Sequence, residues 1–287
     1  MKIIVLKNLH AKNLNALKNY KNIEIIFIEN INEIINYNLN EINCIYLPDT
    51  PINIKALHKY NIKFIFGPHF SVFPEENKIK HIISDNSIYV QPSDWTCNVW
   101  KTFLCCNNLN IKVLPFGVNT ERFKDDNLEK KEKIFVYYKT RDPIELKYID
   151  NFLKEKNIEY SLFSYSDKYN EEDYLSYLKK AKYGIWLGCH ESQGFALEEA
   201  LSCNVPLLVW DIISMKQEYK SNYNDFLATS IPYWDHRCGE CFYNKEDLDK
   251  TFNLFISKLN NYRPREYILE NLTYEICEKK LIDLIKS

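Results

Sequence analysis

Glycine is scarce in this chain, with six among 287 residues. A sequence that spares glycine keeps it where backbone geometry or a close approach demands it. Five of the six (Gly67, Gly117, Gly188, Gly194 and Gly239) fall in loop-like contexts. A surplus of charge is also missing: 37 basic against 39 acidic side chains give a net charge of −2. That excludes the basic excess by which a nucleic-acid binder usually announces itself. No run approaches the roughly 18–20 apolar residues of a membrane helix. The opening run Ile3–Leu6 stops at Lys7, too short for a signal peptide, so a cytoplasmic protein is expected. The nine cysteines, an odd number, sit mostly within apolar patterns such as Cys44-Ile-Tyr-Leu. They suit reduced, buried thiols better than a disulfide framework. Neither a G-x-G-x-x-G fingerprint nor a P-loop is present, which weighs against nicotinamide and NTPase chemistry.

What remains is a chain 46% hydrophobic and 15% aromatic, enough for one large or two modest cores. Short apolar runs alternate with amphipathic segments. Strands are predicted at 3–6, 23–28, 44–47, 62–66, 87–90 and 111–114, with helices at 11–20, 31–37, 54–60 and 94–105. After a charged stretch at 119–133 the pattern restarts. Strands fall at 134–138, 160–163, 183–187 and 205–210, with helices at 143–156, 171–182, 194–202 and 245–258 and a helical tail from 262. Strands lacking polar alternation and separated by helices indicate a parallel sheet covered on both faces. The expected organisation is therefore α/β and double: a Rossmann-like unit at 1–117, a linker at 118–132, a second unit at 133–262 and terminal helices at 263–287.

The most informative segment runs from His190-Glu-Ser-Gln-Gly-Phe-Ala-Leu-Glu-Glu to Pro206. It follows an apolar strand, and such strand–loop–helix turns line the ligand crevice of open α/β sheets. A helix starting near Gly194 would present free amides and its positive dipole end, which suits a phosphate or sugar oxygen. Glu191 precedes this helix, and Glu199 lies about two turns into it. Two carboxylates so placed can hold different hydroxyls of one extended ligand. By themselves they read more simply as a helix cap and a solvated face.

The segment resembles the donor-site motif of retaining glycosyltransferases of family four, which have the GT-B fold. In that family a Glu, seven residues and a second Glu surround a Gly-Phe turn and end at Pro and a strand. Here Ser192 and Gln193 stand between Glu191 and Gly194, and Asn204 replaces the usual Gly. A second segment, Val113-Leu-Pro-Phe-Gly-Val-Asn-Thr-Glu-Arg-Phe123, is similar to the family's interdomain stretch and falls at the compositional boundary. The resemblance covers roughly residues 85–211 in motif and the rest by architecture. The loop after the first strand has no Gly, unlike the family's, and the first lobe is short.

The resemblance implies two Rossmann-like domains facing across a cleft, with the terminal helices packing back on the first. It implies transfer of a sugar from a nucleotide-diphosphate sugar, a UDP-sugar as the expected donor, with retention and without a metal or other cofactor. Lys139 and Arg141, two residues apart after strand 134–138 and expected to face the same side, would bind the diphosphate. Lys147 is the rival for the second cation. Glu191 would hold the donor sugar and Glu199 the ribose, while Ser192, Gln193, Gly194, Phe195 and Ala196 would form the turn beneath the phosphates. Tyr165 would lie against the base, and His69, after Gly67-Pro68, would position the sugar from the first lobe. The acceptor would be a glycan, a lipid-linked molecule or a protein, with peripheral contact to a membrane left open and nucleic acid excluded. Two other readings stay open, a non-catalytic glycan- or partner-binding module on the same fold and a nucleotide-sugar epimerase or hydrolase. Cys238-Gly-Glu-Cys241 is a lone C-x-x-C without the four ligands of a structural zinc site. Asp247-Leu-Asp249 reads as helix surface.

Overall fold

The computed structural model describes residues 1–48, 53–68, 73–125, 131–167 and 169–287. The chain divides into two compact units, Met1–Gly117 with Leu272–Ser287, and Val118–Asn271. The first contains β1 (Lys2–Leu6), α1 (Ala11–Lys18), β2 (Glu24–Ile28), β3 (Cys44–Leu47) and β4 (Lys63–Phe66), then α2 (Glu76–Ile79), β5 (Ser87–Gln91), α3 (Asp94–Lys101) and β6 (Ile111–Val113). These six strands form one parallel sheet in the order β2-β1-β3-β4-β5-β6. Strands β3 and β5 are buried along their length and β4 from Phe64 onward, as unbroken apolar runs require.

The second unit contains β7 (Lys133–Tyr138), α4 (Pro143–Glu155), β8 (Ser161–Ser164), α5 (Glu171–Leu178), β9 (Ala181–Leu187) and α6 (Phe195–Ser202). It continues with β10 (Leu207–Trp210), β11 (Gly239–Phe242), α7 (Leu248–Ser257) and α8 (Pro264–Asn271). Its sheet is also parallel, in the order β11-β10-β9-β7-β8. Val136, Ile185 and Leu208 of adjacent strands share its core with Ile149 and Leu153 of α4. Local chemistry sets the helix starts. The Asp142 carboxylate accepts from the Ile144 amide ahead of Pro143, and Asn170 does the same for Glu172.

All ten predicted strands are present within two residues, whereas two predicted helices are not α-helical. Residues 31–36 form a 3₁₀ helix, capped by Asn30 and Glu33, and 55–57 a single 3₁₀ turn. Segment 31–36, Ile-Asn-Glu-Ile-Ile-Asn, is rich in Ile and Asn, which favour the α-helix little. Strand β11 escaped prediction because Gly239-Glu-Cys-Phe carries no alternation. The terminal helices also divide differently. Segment 264–271, expected among the crossing helices, stays with the second unit, and only α9 (Tyr274–Lys286) joins the first. Among the described residues, no helix is long and apolar enough to cross a membrane.

Candidate functional site

In the second sheet β7 lies between β8, which follows it, and β9, which comes next again, so the strand order reverses between β7 and β9. The crevice at the carboxyl ends of such a pair is where open α/β sheets bind ligands. The register brings Tyr138, Ser164 and Leu187 level, so the loops beginning at residues 139, 165 and 188 leave from one edge. The Lys139 amide extends the ladder by one bond, donating to the Leu187 carbonyl at 3.0 Å. Its ammonium then donates to the Glu191 carboxylate at 2.7 Å and lies 4.6 Å from the centre of the Tyr165 ring. Burial works against the Lys139 charge, but the Glu191 carboxylate outweighs it and raises the ammonium's pKa. One cation and one carboxylate, on loops from adjacent strands, thus meet at the switch point.

Arg141 departs from expectation. Thr140 turns the chain with φ of 47°, and the Arg141 guanidinium is wholly buried instead of sharing a face with Lys139. Nε and Nη2 donate to the two Glu145 oxygens at 2.7 and 2.8 Å. Nη1 donates to the carbonyls of Gly188, at 3.2 Å, and Trp210, at 2.8 Å. The side chain therefore fastens the ends of β9 and β10 to the first turn of α4. Extended-chain alternation fails here because Thr140 is not extended. Lys147 is exposed on α4.

Around α6 the predicted residues separate. Gly194 sits before the helix with φ of 86°, a left-handed conformation that glycine adopts without strain. The amides of Phe195, Ala196 and Leu197 follow at the helix start, where no intrahelical acceptor exists. Ser192 is exposed, while the Gln193 amide turns inward and donates to the buried Glu198 carboxylate at 2.6 Å. Glu199 is not a solvated face: it is 4% exposed. Its field reaches Tyr169, whose hydroxyl bonds Tyr137 and is pushed up to about 12, chiefly by burial, with Glu199 and Glu191 adding. Tyr165 is half exposed. Asn204 has φ of 58°, the left-handed conformation usually given to glycine at that turn. His69 lies outside the described residues.

Three neighbours were given no role from the sequence. The buried Asp211, one residue past β10, accepts from the Thr229 hydroxyl at 2.7 Å and from the Ser230 amide and hydroxyl at 2.7 and 2.8 Å. The Thr229 carbonyl in turn accepts the Glu191 amide at 3.0 Å, so Asp211 positions the carboxylate partner of Lys139. His190 and Glu218 approach each other at 3.3 Å. Burial, with Lys139 adding, drives the His190 imidazole down to about 4. Burial raises the Glu218 carboxyl, against Lys139 and with Glu191. Asp211 and Glu218 lie 20 and 27 residues beyond Glu191 and carry no motif of their own; sheet order brings their loop beside the one that holds His190. Among the described residues, one group of three metal-capable side chains comes together, Cys189 with His190 and Glu218. The C-x-x-C belongs to no such group. Cys238 precedes β11 and Cys241 lies on it, and all nine cysteines are free. Asp249 pairs with Lys156 on the surface.

No protein-family model matches the chain, and no curated protein matches it in sequence. Solved structures do. The N-terminal domain of Candida albicans trehalose-6-phosphate phosphatase superposes with a TM-score of 0.60 at 11% identity, covering 99% of this chain and 96% of that one. The lipopolysaccharide outer core galactosyltransferase WaaB superposes at 0.52 and 12% identity, covering 100% and 99%. The fold is GT-B. TarM also superposes, at 0.54 and 16% identity over 85% of this chain, which spans only 55% of TarM's length.

Proposed function

We propose that the protein is a glycosyltransferase that moves a sugar from a nucleotide-diphosphate sugar to an acceptor hydroxyl, with retention and without a metal ion in the transfer step. The observation that carries this reading is the Lys139–Glu191 pair at the switch point, beside the start of α6. A bound diphosphate would draw Lys139 away from Glu191 and lie against the α6 amides, which together meet the charge developing on the leaving group. Glu191, released, would accept from hydroxyls of the donor sugar, and the buried Glu199 from the ribose. Tyr165 would lie against the base, UDP being the first to test. The bond from the anomeric carbon to the diphosphate oxygen breaks as the bond to the acceptor oxygen forms on the same face. The acceptor's proton passes to the departing phosphate.

Arg141 acts in this scheme by holding the loops, since its donors are engaged with Glu145 and two carbonyls. Likeness in fold to a galactosyltransferase over the full chain supports sugar transfer. The acceptor would be a glycan, a lipid-linked molecule or a protein, and the setting the cytoplasm.

Thermal melting against a panel of nucleoside diphosphates and nucleotide sugars, with and without chelator, tests the donor site. A ligand at 100 times its Kd adds about 2.7 kcal/mol. One base series should stabilise the protein with or without chelator, and Glu199→Ala should lose most of that shift. Turnover with a candidate acceptor should give a product whose anomeric coupling in proton NMR matches the donor's. No shift with any nucleotide, or wild-type shifts in Glu199→Ala, would defeat the donor-site assignment.

A further inference from the structure

The loops after β9 and β10 bring together three side chains that the proposed transfer does not use. Cys189 is buried at the end of β9, and its Sγ lies 3.8 Å from Nδ1 of His190. That nitrogen lies 3.3 Å from Oε2 of Glu218, which is buried and accepts no hydrogen bond. All three ligand atoms fall within 4.8 Å of one another. A tetrahedral zinc ion, with bonds of about 2.0 Å to nitrogen and oxygen and 2.3 Å to sulfur, holds its ligand atoms roughly 3.3–3.6 Å apart. The His190–Glu218 separation already meets that geometry, and the Cys189–His190 separation exceeds it by a few tenths of an ångström.

We propose that Cys189, His190 and Glu218 form a binding site for a zinc ion, with a fourth coordination position left open. The donor set decides the cation. A thiolate with an imidazole is foreign to magnesium and calcium, which take oxygen ligands, and suits a borderline-soft divalent ion.

The scaffold holds the ligands in place beforehand. Arg141 clamps the Gly188 carbonyl immediately before Cys189. The Tyr219 amide donates to the Thr140 carbonyl at 2.8 Å, tying the Glu218 loop to the turn after β7. The edge of the Tyr223 ring packs on His190 at 5.3 Å between centroids, fixing the imidazole plane. Such support of first ligands by a second layer accounts for much of a metal site's affinity. A bound ion would join the loop that carries Glu191 to the loop after β10. This inference does not rest on the donor reading, and its test reads metal binding directly.

Cobalt(II) titrated into the full-length, reduced protein provides the probe, followed by competition with zinc. One cobalt per chain should bind with a near-ultraviolet thiolate-to-cobalt charge-transfer band, and zinc should displace it. Cys189→Ser should abolish the band. His190→Gln and Glu218→Gln should weaken binding more than tenfold, and Cys238→Ser should leave both band and affinity unchanged. Circular dichroism establishes that each variant is folded. If Cys189→Ser does not fold, the His190 and Glu218 variants carry the test alone. No band, or a band that survives Cys189→Ser or loses nothing in the other two, would overturn the site.

Discussion

Lys139 and Arg141 are two residues apart and chemically alike, yet their surroundings give them different work. Arg141 is surrounded by acceptors that no other side chain can serve, so Arg141→Met should cost about 3–5 kcal/mol, the penalty for breaking a buried ion pair. Lys139→Met removes a cation at the crevice and should melt within a few degrees of wild type while losing nucleotide-sugar affinity. Denaturant unfolding paired with calorimetric binding separates the two. Equal loss of affinity with unchanged stability in the Arg141 variant would return Arg141 to the diphosphate. His190 supplies the pH signature. Its pKa is about 4 in the metal-free fold against roughly 6.5 for a solvated imidazole. The unfolded chain therefore binds the proton first, and His190 subtracts stability as pH falls from about 6.5 towards 4. The carboxyl of Glu218, raised by burial, opposes this, so the ring itself is the cleaner readout. Its NMR resonances should stay flat around pH 6.5, and a midpoint there would contradict the buried, neutral imidazole.

Helix α6 depends on one backbone conformation at its start. A Cβ added to Gly194 would meet Pro232 no closer than 3.5 Å, so there is space for it and the cost lies in the backbone. At φ of 86° an alanine should lose about 1–2 kcal/mol. The expected result for Gly194→Ala is a lowered urea midpoint with an unchanged slope, together with weakened nucleotide binding as the first turn shifts. An unchanged midpoint would mean that the turn relaxes freely and that its geometry is not what aligns the α6 amides. The same element shows how context overrides pattern. Glu199 sits in a sequence that permits a solvated carboxylate, but α5 brings Tyr174 against α6, its hydroxyl donating to the Ala196 carbonyl at 3.0 Å, and Glu199 is enclosed.

Across the whole chain, the last helix belongs to the first unit. The buried Glu278 carboxylate of α9 accepts from the Asn22 amide at 2.5 Å, the Asn22 side chain at 2.9 Å and the Ile23 amide at 3.1 Å, just ahead of β2. The Asn15 side chain donates to the Tyr274 hydroxyl at 3.1 Å. Glu278→Ala leaves buried amides without an acceptor and should cost about 2–3 kcal/mol. Because the loss falls within one unit, scanning calorimetry should show the first unit's contribution moving to lower temperature while nucleotide still stabilises the second. A uniform shift of a single transition would mean that the two units unfold as one.

Sequence alone determined the features that arise from local pattern. Unbroken apolar runs marked ten parallel strands, because a strand covered on both faces has no solvent side to record. The charged stretch after Gly117 marked the division, and Gly194 and Asn204 marked turns that other residues enter only with strain. Motif and position singled out Glu191, Glu199 and Lys139 as candidates. Tertiary structure decided everything that depends on which strand lies beside which. The order β9-β7-β8 set Lys139 against Glu191, the turn at Thr140 sent Arg141 inward, and Asp211 and Glu218 came beside them from a loop with no shared motif. Such contacts are fixed by hydrogen-bond register between distant segments, and register leaves no periodic trace in a single chain of residues.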